Sequence, residues 1–190
     1  MKLLFLDTET TGLDPSKNGI IQIAGMVEID GEVKEEFDLR VKPFPGQVIS
    51  EEALKVTGKT VEEIQTYTEP LIGYRSFTEM LDKYVDKFNR ADKFYMVGQN
   101  TKFDYDFMTE WFKRNGNPYF YGYVNYHLLD VIQATALFTV AGKMKLQNMK
   151  LGTVCEHFGI PLKAHDALED IRATRQVFYK YVDMIKGVML

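Results

Sequence analysis

Residues 2–13 read KLLFLDTETTGL, and the change of character inside this stretch decides how the chain folds. Leu3, Leu4, Phe5 and Leu6 form a short apolar run that breaks off into acids and threonines. A run of that length, bounded by turn residues, suits a buried central strand better than a helix. Side chains two apart on an extended chain point the same way, so Asp7 and Glu9 hang side by side at the strand's exit. Two carboxylates that close repel each other unless something positive sits between them. A hard divalent cation, which prefers oxygen ligands, is the economical occupant. Thr10, Thr11 and Gly12 follow with nothing bulky, which lets a ligand approach the backbone. An acidic surface turn is the plainer alternative for these residues taken alone.

Working outward from that strand, residues 20–29 and 33–41 are strand-like runs flanking Asp30-Gly31, a strong two-residue hairpin signal. Three consecutive strands therefore open the fold. Ser50 followed by two glutamates predicts a short helix, and 61–65 predicts another. Met80, Leu81, Tyr84, Val85 and Phe88 recur at helical spacing and predict a longer amphipathic helix over 78–88. A short strand over 93–97 ends at Gly98. Phe103, Phe107, Met108, Trp111 and Phe112 then share a helical face until Gly116. Residues 124–129 read as a weak strand, and helices are predicted over 130–138, 150–158 and 166–185, the last opened by Asp166 with Glu169 three residues on. Strands first, then alternating helix and strand, define an α/β domain with a mixed sheet.

Composition narrows the class. The 190 residues, 45% hydrophobic and 26% charged, suit one sizeable soluble domain, expected to span 1–190 with no linker dividing it. No apolar run is long enough for a membrane span and the N-terminus lacks a secretory pattern, so a cytoplasmic location with no membrane partner is expected. The one cysteine, Cys155, excludes an intramolecular disulfide and a cysteine-based zinc cage, and reads as buried helix filling. A formal net charge of −4 does not advertise nucleic-acid binding, so any attraction to a polyanion must be local.

Two further places carry chemistry. Residues 100–106 read NTKFDYD at a strand end and helix start, where Asn100 is a good N-cap and Asp104 falls on the first turn. By itself Asp104 could merely complement the helix dipole. Residues 164–170 read AHDALED. His165 and Asp170 lie about 500° apart around a helix and cannot share a face. With the helix starting at Asp166, His165 in the loop and Asp170 in the first turn can still address one site.

Taken together, DTETTGL, NTKFD and AHDALEDIRAT resemble the three exonuclease motifs of the DnaQ-like 3′–5′ exonucleases, in the same order and across nearly the whole chain. The histidine five residues before the last aspartate marks the DEDDh branch; its sister branch has a tyrosine four before, where this chain has Asp166. The resemblance implies a ribonuclease H-like fold, a mixed five-stranded sheet flanked by helices. It implies that Asp7, Glu9, Asp104 and Asp170 hold two divalent cations, Mg²⁺ or Mn²⁺, with His165 as general base. It assigns Thr10, Thr11, Leu13 and Asn100 to substrate and leaves Phe103 as support beside Asp104. The substrate it implies is the 3′ end of single-stranded nucleic acid, with DNA favoured and a DNA polymerase as a possible partner. An RNA-trimming exoribonuclease or oligoribonuclease is the alternative, and a non-catalytic nucleic-acid or polymerase-binding module a remoter one.

The chain departs from its relatives at Gln99, where many have histidine, and at Gly58-Lys59-Thr60, usually Gly-Ile-Thr. Neither touches an expected ligand. Asp14, Asp106, Asp130 and Asp166 are competing acids, of which Asp166 reads as a cap and Asp106 as pointing away. Tyr119, Phe120, Tyr121, Tyr123 and Tyr126 could stack bases, though such a cluster is more often core. Lys143, Lys145 and Lys150 could meet phosphates or simply form a solvated loop.

Overall fold

Strand β1 (Lys2–Thr10) is the middle of a five-stranded sheet. In the computed structural model, which describes residues 1–162 and 167–188, the strand order is β3-β2-β1-β4-β5. β1 runs antiparallel to β2 (Ile20–Ile29) on one side and parallel to β4 (Tyr95–Gly98) on the other. The apolar run of β1 is continuous because both faces of the strand are covered. Leu4 and Leu6 pack with Phe77, Phe107, Met108 and Phe112 on one face, while Leu3 and Phe5 meet Ile171 on the other. Each such side chain taken from water contributes about 1.5–3 kcal/mol.

The hairpin signal is realised. Asp30 and Gly31 both adopt left-handed backbone angles (φ 52° and 88°) between β2 and β3 (Glu32–Arg40), as a tight turn between twisted strands requires. Along β3 only Phe37 is buried, and charged residues crowd the solvent side of this edge strand, which discourages pairing with other chains. Helix α1 (Glu51–Thr57) is capped by Ser50, whose hydroxyl accepts from the Ala53 N–H at 3.1 Å, and Gly58 ends it at φ 66°. Thr60 caps α2 (Val61–Ile64) in the same way.

Three expectations need correction. The amphipathic helix predicted over 78–88 is α3 (Pro70–Asp82), which starts earlier because Pro70 is preorganised for a first turn. It stops before Phe88, whose ring is 88% exposed despite its helical spacing. Helix α4 (Thr101–Arg114) begins where expected, but Asn100 does not cap it through its side chain: it sits at φ 64° with no side-chain cap bond. The cap comes from Asp130, whose carboxylate accepts from the N–H groups of Asn100 (3.1 Å) and Thr101 (3.2 Å). Finally, the strand predicted over 124–129 shrinks to β5 (Leu129–Asp130), with Val124 reduced to a single bridge opposite Phe94.

Asp130 also caps α5 (Val131–Val140), accepting from the Ile132 N–H at 2.8 Å. Helices α5, α6 (Leu151–Phe158) and α7 (Ala167–Val188) enclose a second core around Phe138, Val154, Cys155, Val177 and Tyr181. Cys155 is buried there, as the sequence suggests. Arg175 and Tyr179 of α7 also grip Glu28 of β2, a side chain with no exposed surface, through the Arg175 Nε at 2.6 Å and the Tyr179 hydroxyl. The expected start of the last helix at Asp166 lies outside the described residues. Among the described residues no helix is long and apolar enough to cross a membrane.

Candidate active site

The sheet opens where the acids sit. Pairing of β1 with β4 ends at Phe5↔Val97, but β1 continues to Thr10, still paired with β2 on its other side. The first turn of α4 enters beside this unpaired edge. Asp7 and Glu9 alternate with Thr8 along the strand, so Thr8 points to the opposite face. There it meets Asp104, whose Oδ1 accepts from the Thr8 N–H at 2.9 Å and from the Thr8 hydroxyl at 2.7 Å. Asp104 is only 2% exposed. Asp170 arrives from the other face of the sheet, on the first turn of α7.

The charges show that these acids share one place. The Asp7 carboxyl is pushed well above the usual carboxylate range, by burial first and then by the negative charges of Asp104, Glu9 and Asp170. Part of the Asp7 residue still meets solvent at the strand's edge. Asp104 is pushed up to about 7: burial raises it, the Thr8 hydroxyl and N–H and its own backbone amide pull it down, and Glu9 raises it again. The buried Cys155 thiol is held up at about 11, by burial and then by Asp170, which makes it an unreactive packing group.

Oxygen donors from three elements, set against one another in a half-dry pocket, are the donor chemistry of a hard divalent cation. Among the described residues no three His, Cys, Asp or Glu side chains stand close enough together, as placed, to hold a metal ion. The competing acids are engaged elsewhere. Asp14 is lowered to about 2 by Ser16 and Lys17 in its own loop, Asp106 pairs with Lys102 at 2.5 Å, and Asp130 is the double cap described above. His165 and Asp166 lie outside the described residues.

Beside the acids runs a cleft of about 500 Å³, lined by Glu9, Thr10 and Leu13 from β1 and the loop after it, by Ala53 and Val56 of α1, and by Phe103 of α4. Leu13 is 85% exposed at its rim. The loop carrying it is rigidly braced. Thr11 is buried, its hydroxyl donating to the Val48 carbonyl at 2.7 Å and accepting from the Gly19 N–H at 2.8 Å. Asn18 donates to the same Val48 carbonyl at 2.9 Å and approaches Gly12 so closely that a Cβ there would lie 2.4 Å away. Thr10 donates to the Gly12 carbonyl at 2.7 Å. Of the residues assigned to substrate, Thr10 and Leu13 therefore line the cleft, whereas Thr11 shapes the loop and Asn100 does not line it. A second groove of about 510 Å³, at Arg40, Tyr67 and Ile72, shares no lining with the acids.

Sequence reasoning missed Thr8 and Val56, and took Phe103 for support when it also walls the cleft. Period-two alternation could have singled out Thr8, since it must face away from Asp7 and Glu9. The aromatic cluster divides: Phe120 and Tyr123 are core, while Tyr119, Tyr121 and Tyr126 are exposed. The Lys93 amine reaches the Tyr121 carbonyl before β4 begins, at the end of that strand remote from Gly98. The Lys143–Lys150 loop instead lies on the acid side, because Gln99 donates to the Met149 carbonyl at 2.9 Å.

A mixed five-stranded sheet of this order, flanked by helices, with paired acids carried by its central strand to an opened edge, is a ribonuclease H-like fold. The family model described as an exonuclease, that of the RNase T family within the DnaQ-like group, matches residues 4–178, and the chain belongs to that family. Among curated proteins, it is 30% identical over 185 residues to the PolC-type DNA polymerase III of Thermotoga petrophila, covering 96% of this chain and 12% of that protein. It is 28% identical over 189 residues to the PolC-type enzyme of Caldanaerobacter subterraneus, covering 98% and 12%. Among solved structures, the zinc-bound Escherichia coli exonuclease I–single-stranded DNA complex superposes with a TM-score of 0.77 at 20% identity, covering 95% of this chain and 39% of that one. The chain thus spans about an eighth of the length of those polymerases.

Proposed function

We propose that this chain, acting as one unit over 1–190, is a metal-dependent 3′–5′ exonuclease that removes nucleoside 5′-monophosphates from the 3′ ends of single-stranded nucleic acid, DNA in preference to RNA. The observation that carries the reading is the convergence on Asp7 of three other carboxylates, Asp104, Glu9 and Asp170. Like charges held this close raise one another's energy, and a divalent cation placed among them relieves it. Asp7, Glu9, Asp104 and Asp170 would hold two Mg²⁺ or Mn²⁺ ions. When bound, the ions supply a nucleophile at neutral pH and neutralise charge at the leaving 3′ oxygen.

This chain's own residues do the rest. Leu13 and Val56 close on the terminal base and sugar from the loop after β1 and from α1, and the braced loop of Thr10–Leu13 keeps its shape without reorganising. Glu9 lines that cleft and also belongs to the acid set, so a strand seated in the cleft has its last phosphodiester beside the acids. His165 takes the proton from the attacking water as the new P–O bond forms and the P–O3′ bond breaks. The shortened strand keeps the 3′ oxygen, which gains a proton, and the nucleotide departs as its 5′-monophosphate. PolC-type relatives and the exonuclease I–DNA complex support DNA as the substrate and a polymerase as the neighbour this domain serves.

The test uses oligonucleotides labelled at either end, as matched DNA and RNA, with chelator or with added Mg²⁺ or Mn²⁺. The reading expects stepwise mononucleotide release from the 3′ end, only with cation and faster on DNA. Cleavage that persists in chelator, or that starts at the 5′ end, overturns it.

A further inference from the structure

The proposed acids explain what binds; they do not explain how Asp104, on the opposite face of β1 from Asp7 and Glu9, is kept in reach of them. Three observations bear on this. First, the pairing of β1 with β4 ends at Phe5↔Val97, so the Thr8 N–H has no strand opposite it and is taken by Asp104. Second, the Thr8 hydroxyl donates to the same oxygen, Oδ1, at 2.7 Å, its only side-chain hydrogen bond among the described residues. Third, both partners are buried, Thr8 at 7% and Asp104 at 2% exposure, so water has little room to replace that hydroxyl.

Any residue at position 8 would offer the backbone N–H; only the hydroxyl is written into the side chain. Two donors on one oxygen fix the plane of a carboxylate, where one leaves it free to swing about the bond. Oδ2 is the oxygen that Thr8 does not take.

We propose that Thr8 is a positioning residue for the divalent-cation site: its hydroxyl and N–H together clamp Oδ1 of Asp104, leaving Oδ2 to face the ion. This inference rests on the functional reading above and names a residue that acts only through Asp104. Partners that orient a liganding group typically govern metal affinity by about 10–100-fold.

The test is Mn²⁺ binding, measured calorimetrically on the full chain with no nucleic acid present. Thr8→Val keeps the β-branched shape and removes the hydroxyl; Thr8→Ser keeps the hydroxyl. We expect Thr8→Val to weaken Mn²⁺ binding about tenfold or more and Thr8→Ser to stay within about threefold of wild type. In an Asp104→Asn background, Thr8→Val should change Mn²⁺ affinity no further, because the hydroxyl acts through that carboxylate. At saturating Mn²⁺, the KM of Thr8→Val for an oligonucleotide should match wild type while kcat falls. Melting curves in chelator identify a variant that has failed to fold, and Thr8→Ser with the Asp104→Asn pair then carries the decision. Wild-type-like Mn²⁺ affinity in Thr8→Val, or equal losses with and without Asp104, overturns the inference and leaves the exonuclease reading standing. A wild-type chain that binds no Mn²⁺ overturns both.

Discussion

Among the described residues carboxylates are buried in two places, and they are treated in opposite ways. Between β2 and α7, Glu28 has no exposed surface, yet Arg175 and Tyr179 both reach it, and the Arg175 guanidinium also lies 5.0 Å over the Tyr179 ring. At the opened edge of β1, Asp7 faces three more carboxylates, and Asp104 accepts two hydrogen bonds from Thr8, a neutral partner. A buried acid with its own cation holds two elements together. A buried acid among other acids is held in its charged form at a cost, and such perturbed groups cluster at working sites. α7 takes part in both, carrying Arg175 to the first place and Asp170 to the second, so the structural pair keeps the functional acid in position.

The largest effect should come from the acid side. Asp7→Asn, Glu9→Gln, Asp104→Asn or Asp170→Asn should each lower turnover on the order of a thousandfold or more, and pairs of them little further, because groups serving one site fail together. Initial rates on a 3′-labelled oligonucleotide give the comparison. Full activity in any one of the four removes it from the set. On the structural side, Glu28→Gln should cost about 2–3 kcal/mol in denaturant unfolding, less than for a fully enclosed pair because Arg175 keeps 27% of its side chain exposed. Its folded fraction should turn over at close to the wild-type rate. A Glu28→Gln protein that melts like wild type would erase the contrast.

The pH dependence separates the two places next. An acid whose folded pKa lies above its unfolded value binds its proton more tightly in the folded chain. Between the ordinary value of 3.8 and about 7, the wild-type chain therefore loses stability relative to Asp104→Asn as pH rises. With chelator present, the difference in melting temperature should be small near pH 4 and widen towards pH 7 in favour of the variant. A constant difference across that range would mean that burial and Glu9 do not hold the Asp104 carboxyl up in the folded chain. The smallest effect belongs to the cleft rim. Leu13→Ala, at a side chain 85% exposed, should raise KM for oligonucleotide several-fold and change stability by less than about 0.5 kcal/mol. An unchanged KM would place the terminal nucleotide elsewhere.

What could be read in the sequence was local. The apolar run of residues 3–6, the Asp30-Gly31 turn and the Ser50 cap each depend on neighbours within a few positions, and each folds as read. The four acids stand out as a set because their types and separations match a family pattern; in the structure Asp104, Glu9 and Asp170 lie near enough to raise the Asp7 carboxyl. What could not be read is made by long-range contacts. Asn100 looks like a cap in its own segment, but Asp130, thirty residues on, supplies the carboxylate. Phe88 has helical spacing, yet the helix that should carry it was started at Pro70 and ends at Asp82. Thr8 passed unnoticed between two acids because its partner lies 96 residues away on the other face of the strand. Thr11, which the family pattern assigns to substrate, spends its hydroxyl on Val48 and Gly19.

The central claim is that the acids of β1, α4 and α7 are set against one another for a cation to complete. It is tested most directly by melting wild type and Asp104→Asn at pH 7, each in chelator and in excess Mn²⁺. The account predicts a reversal: Asp104→Asn melts higher in chelator, and wild type overtakes it when Mn²⁺ is added, because only the intact set gains fully from the ion. A wild-type chain that is the more stable of the two in chelator and gains nothing from Mn²⁺ would contradict it.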